Sequence, residues 1–135
     1  MMGQRSIEEC NAAVDAKNNL INNGSLEIRS GAPGDIDSAP TGSVLITFPL
    51  PATVFNNAVT RTATANTVNK VVATAGNAGG EVHYLVKNSN GDVERNGTAG
   101  LSGSGANMIL QTLTWNAGQE VSITGWTNTE QKGSN

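Results

Sequence analysis

The chain has 135 residues, 14% of them charged, and a formal net charge of -3. This length predicts one domain with a core of ordinary size, and the single cysteine, Cys10, excludes an intrachain disulfide bridge. The acidic balance offers no basic surface for phosphate groups, so nucleic acid is not an expected partner. Pro49 and Pro51 interrupt the most hydrophobic window, which excludes a membrane-spanning segment there. The N-terminus lacks the apolar core of a secretory signal, so we expect synthesis in the cytoplasm.

The first element is a predicted helix over residues 6–22. Ser6 and Glu9 match the S-x-x-E capping box, in which each side chain satisfies a backbone N–H at the helix start. Gly24 is the expected left-handed stop. The apolar positions form one narrow stripe, made of Ile7, Cys10, Ala13, Val14, Leu20 and Ile21. An isolated helix of this kind is marginal, so the stripe must pack on the rest of the chain or on another chain.

Beyond Gly24 the sequence changes to short segments of period two, separated by glycine-rich turns. About eight such segments predict an antiparallel β-sandwich or jelly roll, with residues 1–24 as a helical arm and 25–135 as the β domain. The predicted strands lie near residues 26–29, 44–48, 59–65, 68–75, 80–87, 93–98, 108–115 and 120–127. The alternation assigns to the core Leu26, Ile28, Val44, Ile46, Phe48, Val82, Tyr84, Val86, Leu110, Leu113, Val121 and Ile123.

Turn signals divide the second half of the chain. Asn90-Gly91 lies between two strand-like segments and predicts a type I′ hairpin with Gly91 at positive φ. Residues 116–119 predict a second turn, and the glycine-rich residues 100–105 predict a connection without phosphate-binding character, because no helix follows them. We expect the polar residues 128–135 to be frayed.

Few residues are suited to catalysis or metal binding, and the sequence predicts neither an enzyme nor a cofactor. His83 is the only histidine, and its position favours the surface of a strand. Asp35 and Asp37 could supply oxygen atoms to Ca²⁺, but two loop aspartates without further acidic residues favour turn formation. Trp115 and Trp126 are predicted near the core. The alternative is that their rings are exposed and act as stacking platforms for a sugar.

Two long stretches resemble small structural proteins of tailed bacteriophages. Residues 5–58 combine the predicted helix with the N-G-S-L-x-I-R-S-G turn into the first strand, and residues 88–129 combine the hairpin, a Ser/Gly loop and the N-A-G-Q-E-V-S-I-T strand. Together they are most similar to the jelly-roll cement proteins that decorate the capsids of Bordetella-type short-tailed phages. These motifs are turns and strands, with no catalytic signature among them.

The resemblance implies a virion protein on the capsid surface that bridges neighbouring capsomers from outside. Its implied partners are the major capsid protein and a second copy of the chain, in a homodimer or another homo-oligomer. The predicted partner contacts are the helix stripe and the loop of residues 31–42, specifically Ile7, Cys10, Val14, Ile21, Asp35, Ile36 and Asp37. An equal alternative is that the helix packs on the chain's own sheet and closes one end of the core. A neck, tail or fibre-associated virion protein and a carbohydrate-binding module remain as alternatives.

Overall fold

The computed structural model describes residues 3–72 and 74–132 and is mainly β with one N-terminal helix, as predicted. The helix α1 spans Ile7–Asn19. The strands are β1 Ser25–Ser30, β2 Val44–Pro49, β3 Thr62–Thr64, β4 Val68–Val71, β5 Gly76–Asn77, β6 Val82–Lys87, β7 Val93–Gly100, β8 Met108–Leu110, β9 Thr114–Trp115 and β10 Glu120–Thr129. The predicted strand over residues 68–75 is shorter than expected, and its residue 73 lies outside the described ranges.

Eight of the strands form one curled sheet in the order β2-β1-β6-β7-β8-β10-β3, with β4 also paired to β10. The long strand β10 therefore contacts β3, β4 and β8 along its length. The pairing is antiparallel except between β7 and β8, which run parallel and are joined by residues 101–107. The predicted last hairpin is only partly formed, because β8 pairs with β10 whereas β9 pairs with β5 in a separate small sheet.

The predicted core is buried with two exceptions. Leu113 is half-buried, and Val44 is exposed. A bulge explains Val44, because Ile28 pairs with Ile46 while the next residue, Arg29, pairs with Val44. The extra residue in β2 moves Val44 to the outer face of the sheet, which a strict period of two cannot anticipate.

Strand β6 is buried on both faces, so the prediction of a surface histidine was wrong. His83 is 1% exposed, and its Nδ1 lies 2.9 Å from the Gly31 carbonyl oxygen. Leu85 on the same face is buried as well. The loop of residues 31–42 covers this face of β6. It is also hydrogen-bonded to β7, where Asn96 Nδ2 donates to the Gly34 carbonyl at 3.0 Å. We call this segment the outer loop.

Helix α1 begins as predicted and ends differently. The Ser6 hydroxyl accepts a hydrogen bond from the Glu9 N–H at 3.0 Å, which is one of the two hydrogen bonds of the predicted capping box. The left-handed residue after the helix is Asn23, with φ of 63°, and not Gly24. Gly24 is needed for another reason, because a Cβ there would lie 2.0 Å from the Lys87 carbonyl oxygen.

The β6–β7 hairpin is confirmed, with a different turn. Gly91 has a φ of 86° and its N–H donates to the Asn88 carbonyl at 3.0 Å, but Asn90 is not at positive φ. The Asn88 side chain accepts hydrogen bonds from the N–H groups of Asn90 and Asp92. This geometry is a type I turn followed by a left-handed glycine, rather than type I′.

Gly91→Val is expected to lower the free energy of unfolding by about 1–2 kcal/mol, because a side chain disfavours the left-handed region. No atom lies within 4 Å of the position that its Cβ would take, so backbone conformation is the cause of the loss. Thermal unfolding of Gly91→Val, with Ser89→Ala as the control variant, tests this prediction. Equal stability of the two variants would show that residue 91 does not need positive φ.

The C-terminal segment is ordered further than predicted. Strand β10 continues to Thr129, where Asn128 pairs with Ala63. The chain then runs back to its N-terminal end, since the Arg5 N–H donates to the Lys132 carbonyl at 2.8 Å. The expectation of a frayed tail is therefore wrong for residues 128–132, and residues 133–135 lie outside the described ranges.

Candidate functional site

The predicted partner contacts divide into buried and exposed residues. Cys10, Val14 and Ile21 are fully buried, so they do not form a docking surface in this fold. Val14 and Ile21 pack in the hydrophobic core, and Cys10 Sγ lies beside the carbonyls of Arg5 and Gln131. Their burial corresponds to the alternative in which the helix closes the chain's own core. Ile7 is 46% exposed.

The three outer-loop residues are exposed. Ile36 is exposed, and Asp35 and Asp37 flank it at the loop surface. Asp35 Oδ1 accepts a hydrogen bond from the Asp37 N–H at 2.8 Å, and the Asp35 carbonyl accepts one from the Ser38 N–H. This is the turn-forming role that the sequence favoured.

The helix and the outer loop lie on opposite faces of β7. Arg95 reaches the helix, because its Nη2 donates to the Lys17 carbonyl at 3.0 Å. The next residue, Asn96, reaches the outer loop at Gly34. Since successive side chains of a strand point to opposite faces, the two predicted contact segments do not form one surface at this strand.

A buried polar network joins α1 to the sheet. Asn18 is 4% exposed, and its Oδ1 accepts hydrogen bonds from Arg95 Nη1 at 3.3 Å and from Asn128 Nδ2 at 2.9 Å. Within the described residues, Asn18 Nδ2 has no hydrogen-bond partner. The guanidinium also satisfies a carbonyl in the last turn of the helix, where positive charge is favourable. We call these three residues the helix junction.

A groove of about 350 Å³ opens beside the helix junction, lined by Lys17, Tyr84, Arg95, Trp126 and others. Burial lowers the pKa of Arg95, and the charges of Tyr84 and Glu94 oppose that shift. Burial also raises the pKa of the Tyr84 phenol, while a hydrogen bond with Trp126 and the charge of Arg95 act against it. Both shifts reflect limited solvent access, and the Arg95 hydrogen bonds give the group a structural role.

Arg95→Ala is expected to lower the free energy of unfolding by about 1.5–3 kcal/mol, because two charge-assisted hydrogen bonds to α1 are lost. Arg95→Lys should recover only part of this loss, since an ammonium cannot reproduce the fork geometry of a guanidinium. Lys70→Ala, on the exposed strand β4, is the control. Chemical denaturation measures all three. An Arg95→Ala protein as stable as the control would contradict the role of the junction.

A tight turn projects next to α1. Val59 and Thr62 exchange two backbone hydrogen bonds, and the intervening Thr60 and Arg61 have φ of 48° and 69°. Two non-glycine residues at positive φ are unusual. Side chains of the helix support the turn, because Asn11 Oδ1 accepts from the Arg61 N–H and Asp15 Oδ1 accepts from the Ala58 N–H, both at 2.8 Å. Val59 is 72% exposed at this supported turn.

A second groove of about 570 Å³ lies beside the β5–β9 pair. Trp115 is among its lining residues but is mostly buried, as predicted. Trp126 is buried elsewhere, in edge contact with Phe55 and Tyr84 at centroid distances of 4.8 and 5.7 Å. The structure therefore places the two tryptophans in different parts of the molecule, and they do not form one stacking surface.

Titratable and metal-ligating residues are dispersed. Residues 3–72 and 74–132 contain no group of three or more His, Cys, Asp or Glu side chains that could hold a metal ion. None of the helices in that part of the chain is long and apolar enough to cross a membrane. Glu130 pairs with Lys17, and this hydrogen bond and charge lower the pKa of its carboxyl group.

Sequence reasoning missed the helix junction and the Val59 turn. Asn18 and Arg95 are 77 positions apart, and their contact depends on how the helix lies on the sheet. The turn at Thr60 and Arg61 lacks the Asn and Gly residues by which a type I′ turn is recognised.

Comparisons with protein-family models, curated proteins and solved structures found no match to this chain.

Proposed function

We propose that this chain is a virion structural protein that decorates a tailed-phage capsid from outside and bridges neighbouring capsomers. The proposal is supported by the resemblance of residues 5–58 and 88–129 to phage cement proteins. It is also supported by a sparsely charged surface with several exposed apolar side chains. Apolar side chains that remain exposed on a small domain are suited to contact with another protein.

The observation that carries the proposal is the exposure of three apolar side chains at or beside α1. Ile7 and Leu20 lie at the two ends of the helix and are 46% and 57% exposed. Val59 projects from the turn that the helix supports through Asn11 and Asp15. We call these three residues the helix-side contacts, and we propose them as the surface that meets the major capsid protein.

Hydrogen bonds hold the two terminal segments of the chain together near the start of α1. The N-terminal and C-terminal segments are joined by hydrogen bonds from Arg5 to the carbonyls of Gln131 and Lys132. A preorganised surface loses little conformational entropy on docking. Because many copies would act together around a shell, each copy needs only a modest contact with its neighbours.

Val59→Asp is expected to weaken attachment to undecorated capsids by about tenfold or more, since a carboxylate in an apolar contact must be desolvated. The same change should alter stability by less than about 0.5 kcal/mol, because the side chain is exposed. Sedimentation of capsids with the bound protein, followed by densitometry, measures attachment.

Val71→Asp is the matched control. Val71 is 58% exposed and pairs with Glu120, whereas the Val59 turn leads into β3, which pairs with the other end of β10. The strand rise places these ends roughly 25–30 Å apart. Equal attachment of both variants at wild-type level would argue against the helix-side contacts. A neck, tail or fibre position remains the alternative and predicts no binding to capsids by any variant.

A further inference from the structure

The groove beside Trp115 has a lining that differs from the rest of the candidate surfaces. None of its lining residues that the structure describes carries a charge, and the polar ones are Asn77, Asn116, Gln119, Thr112 and Thr114. Its volume of about 570 Å³ is within the range of small-ligand sites. A concave, uncharged surface with amides, hydroxyls and one indole matches a neutral ligand that is rich in hydroxyl groups.

Local hydrogen bonds orient two of the amides. Asn77 Oδ1 accepts from the Gly79 N–H at 2.8 Å, and Gln119 Oε1 accepts from the Asn116 N–H at 2.9 Å. With both oxygens engaged, the Nδ2 group of Asn77 and the Nε2 group of Gln119 remain as donors. Within the described residues, neither NH2 group donates a hydrogen bond. Two fixed donors at one groove can recognise ligand oxygens with little loss of side-chain entropy.

The indole is held in place by the strand opposite. Trp115 pairs with Gly76 across the β5–β9 ladder. A Cβ at Gly76 would lie 2.5 Å from Trp115 Nε1 and 2.6 Å from Cε2, so only glycine permits this approach. The ring is therefore fixed as part of the groove wall, where the small part of Trp115 that stays exposed can contact the apolar face of a sugar ring.

We propose that the Trp115 groove binds a neutral saccharide. The fixed amide donors would recognise hydroxyl oxygens, and the indole would contact the C–H groups of the sugar. A nucleotide or another anion does not suit the groove, because no cationic side chain lines its described part. This proposal is independent of the capsid role, since the groove lies beside β5–β9 and the helix-side contacts lie next to α1.

A panel of neutral mono- and oligosaccharides, including glucose, galactose, mannose and N-acetylglucosamine oligomers, tests the proposal. We expect saturable binding by at least one member, seen in isothermal titration and as a change in indole emission. The change should persist in Trp126→Phe, which leaves Trp115 as the only tryptophan. The affinity should be nearly independent of salt, because no ion pair is formed.

Asn77→Ala and Gln119→Ala separate specific binding from surface contact. Each is expected to weaken association about fivefold, the amount typical for one neutral hydrogen bond. Asn57→Ala, an exposed asparagine next to Ala58 on the α1 side, should have no effect. The proposal is overturned if no member of the panel binds saturably, or if binding is the same in the wild type and in both groove variants.

Discussion

Ile123→Ala is expected to lower the free energy of unfolding by about 2–5 kcal/mol, because it removes buried methyl groups and leaves a cavity. Ile123 is 2% exposed and lies in β10, where it pairs with Leu110 of β8 and with Val68 of β4. A loss of packing there weakens the contacts of β10 with both β4 and β8. Denaturant titration with a two-state fit measures the change.

Ser102→Ala is the matched control for that experiment. Ser102 is exposed in the connection between β7 and β8, and we expect a change of less than about 0.5 kcal/mol. Similar midpoints for Ile123→Ala and Ser102→Ala would mean that β10 is not central to the core.

Gly24→Ala is expected to cost about 3 kcal/mol, at the upper end of the range for overpacking. The added Cβ would lie 2.0 Å from the Lys87 carbonyl oxygen and 2.9 Å from that of Ile21. Neither carbonyl can move easily, because Gly24 is held by its own hydrogen bonds to Ile21 and Leu50. The strain would be relieved only by separating the end of α1 from the start of β1.

Gly80→Ala provides the comparison for Gly24→Ala. Gly80 has no atom within 4 Å of an ideal Cβ and does not have positive φ, so alanine is tolerated there. Melting temperatures of the two variants measure the difference directly. If Gly24→Ala and Gly80→Ala have the same melting temperature, the close contact between residues 24 and 87 is absent in solution.

Local signals in the sequence predicted the elements whose geometry depends on neighbouring residues. The Ser6 cap needs only the N–H of Glu9, three positions away. Gly91 at positive φ follows from a turn between two strands. The two-residue alternation placed Ile46 and Phe48 in the core. Short-range hydrogen bonding and side-chain period are sufficient for such predictions.

Features that depend on long-range packing were not predictable in this way. His83 was assigned to the surface because nothing in its segment shows that the outer loop covers it. Val44 was assigned to the core because a bulge opposite Arg29 leaves no mark in the alternation. The pairing of β9 with β5 builds the Trp115 groove. The sequence predicted that the segment containing β9 would pair with residues 120–127, and it placed residues 76–77 in no strand.

The candidate surfaces changed for the same physical reason. A thin apolar stripe on a helix indicates that the helix needs a neighbour but does not identify it. The rest of the same chain is that neighbour for Cys10, Val14 and Ile21. Ile7, Leu20 and Val59 stay exposed at or beside the helix. The proposed contact with a capsid therefore uses the exposed members of the stripe, Ile7 and Leu20, together with Val59 of the adjacent turn, rather than its buried members.

The copy number of this polypeptide in purified virions tests the central proposal most directly. Quantitative mass spectrometry against labelled standards gives the ratio of this chain to the major capsid protein in the same particles. A decoration role predicts a ratio of the same order as one chain per capsid subunit, and release of the chain should make the particles less stable to heat. Absence of the chain from virions, or only a few copies in each particle, would contradict the proposal.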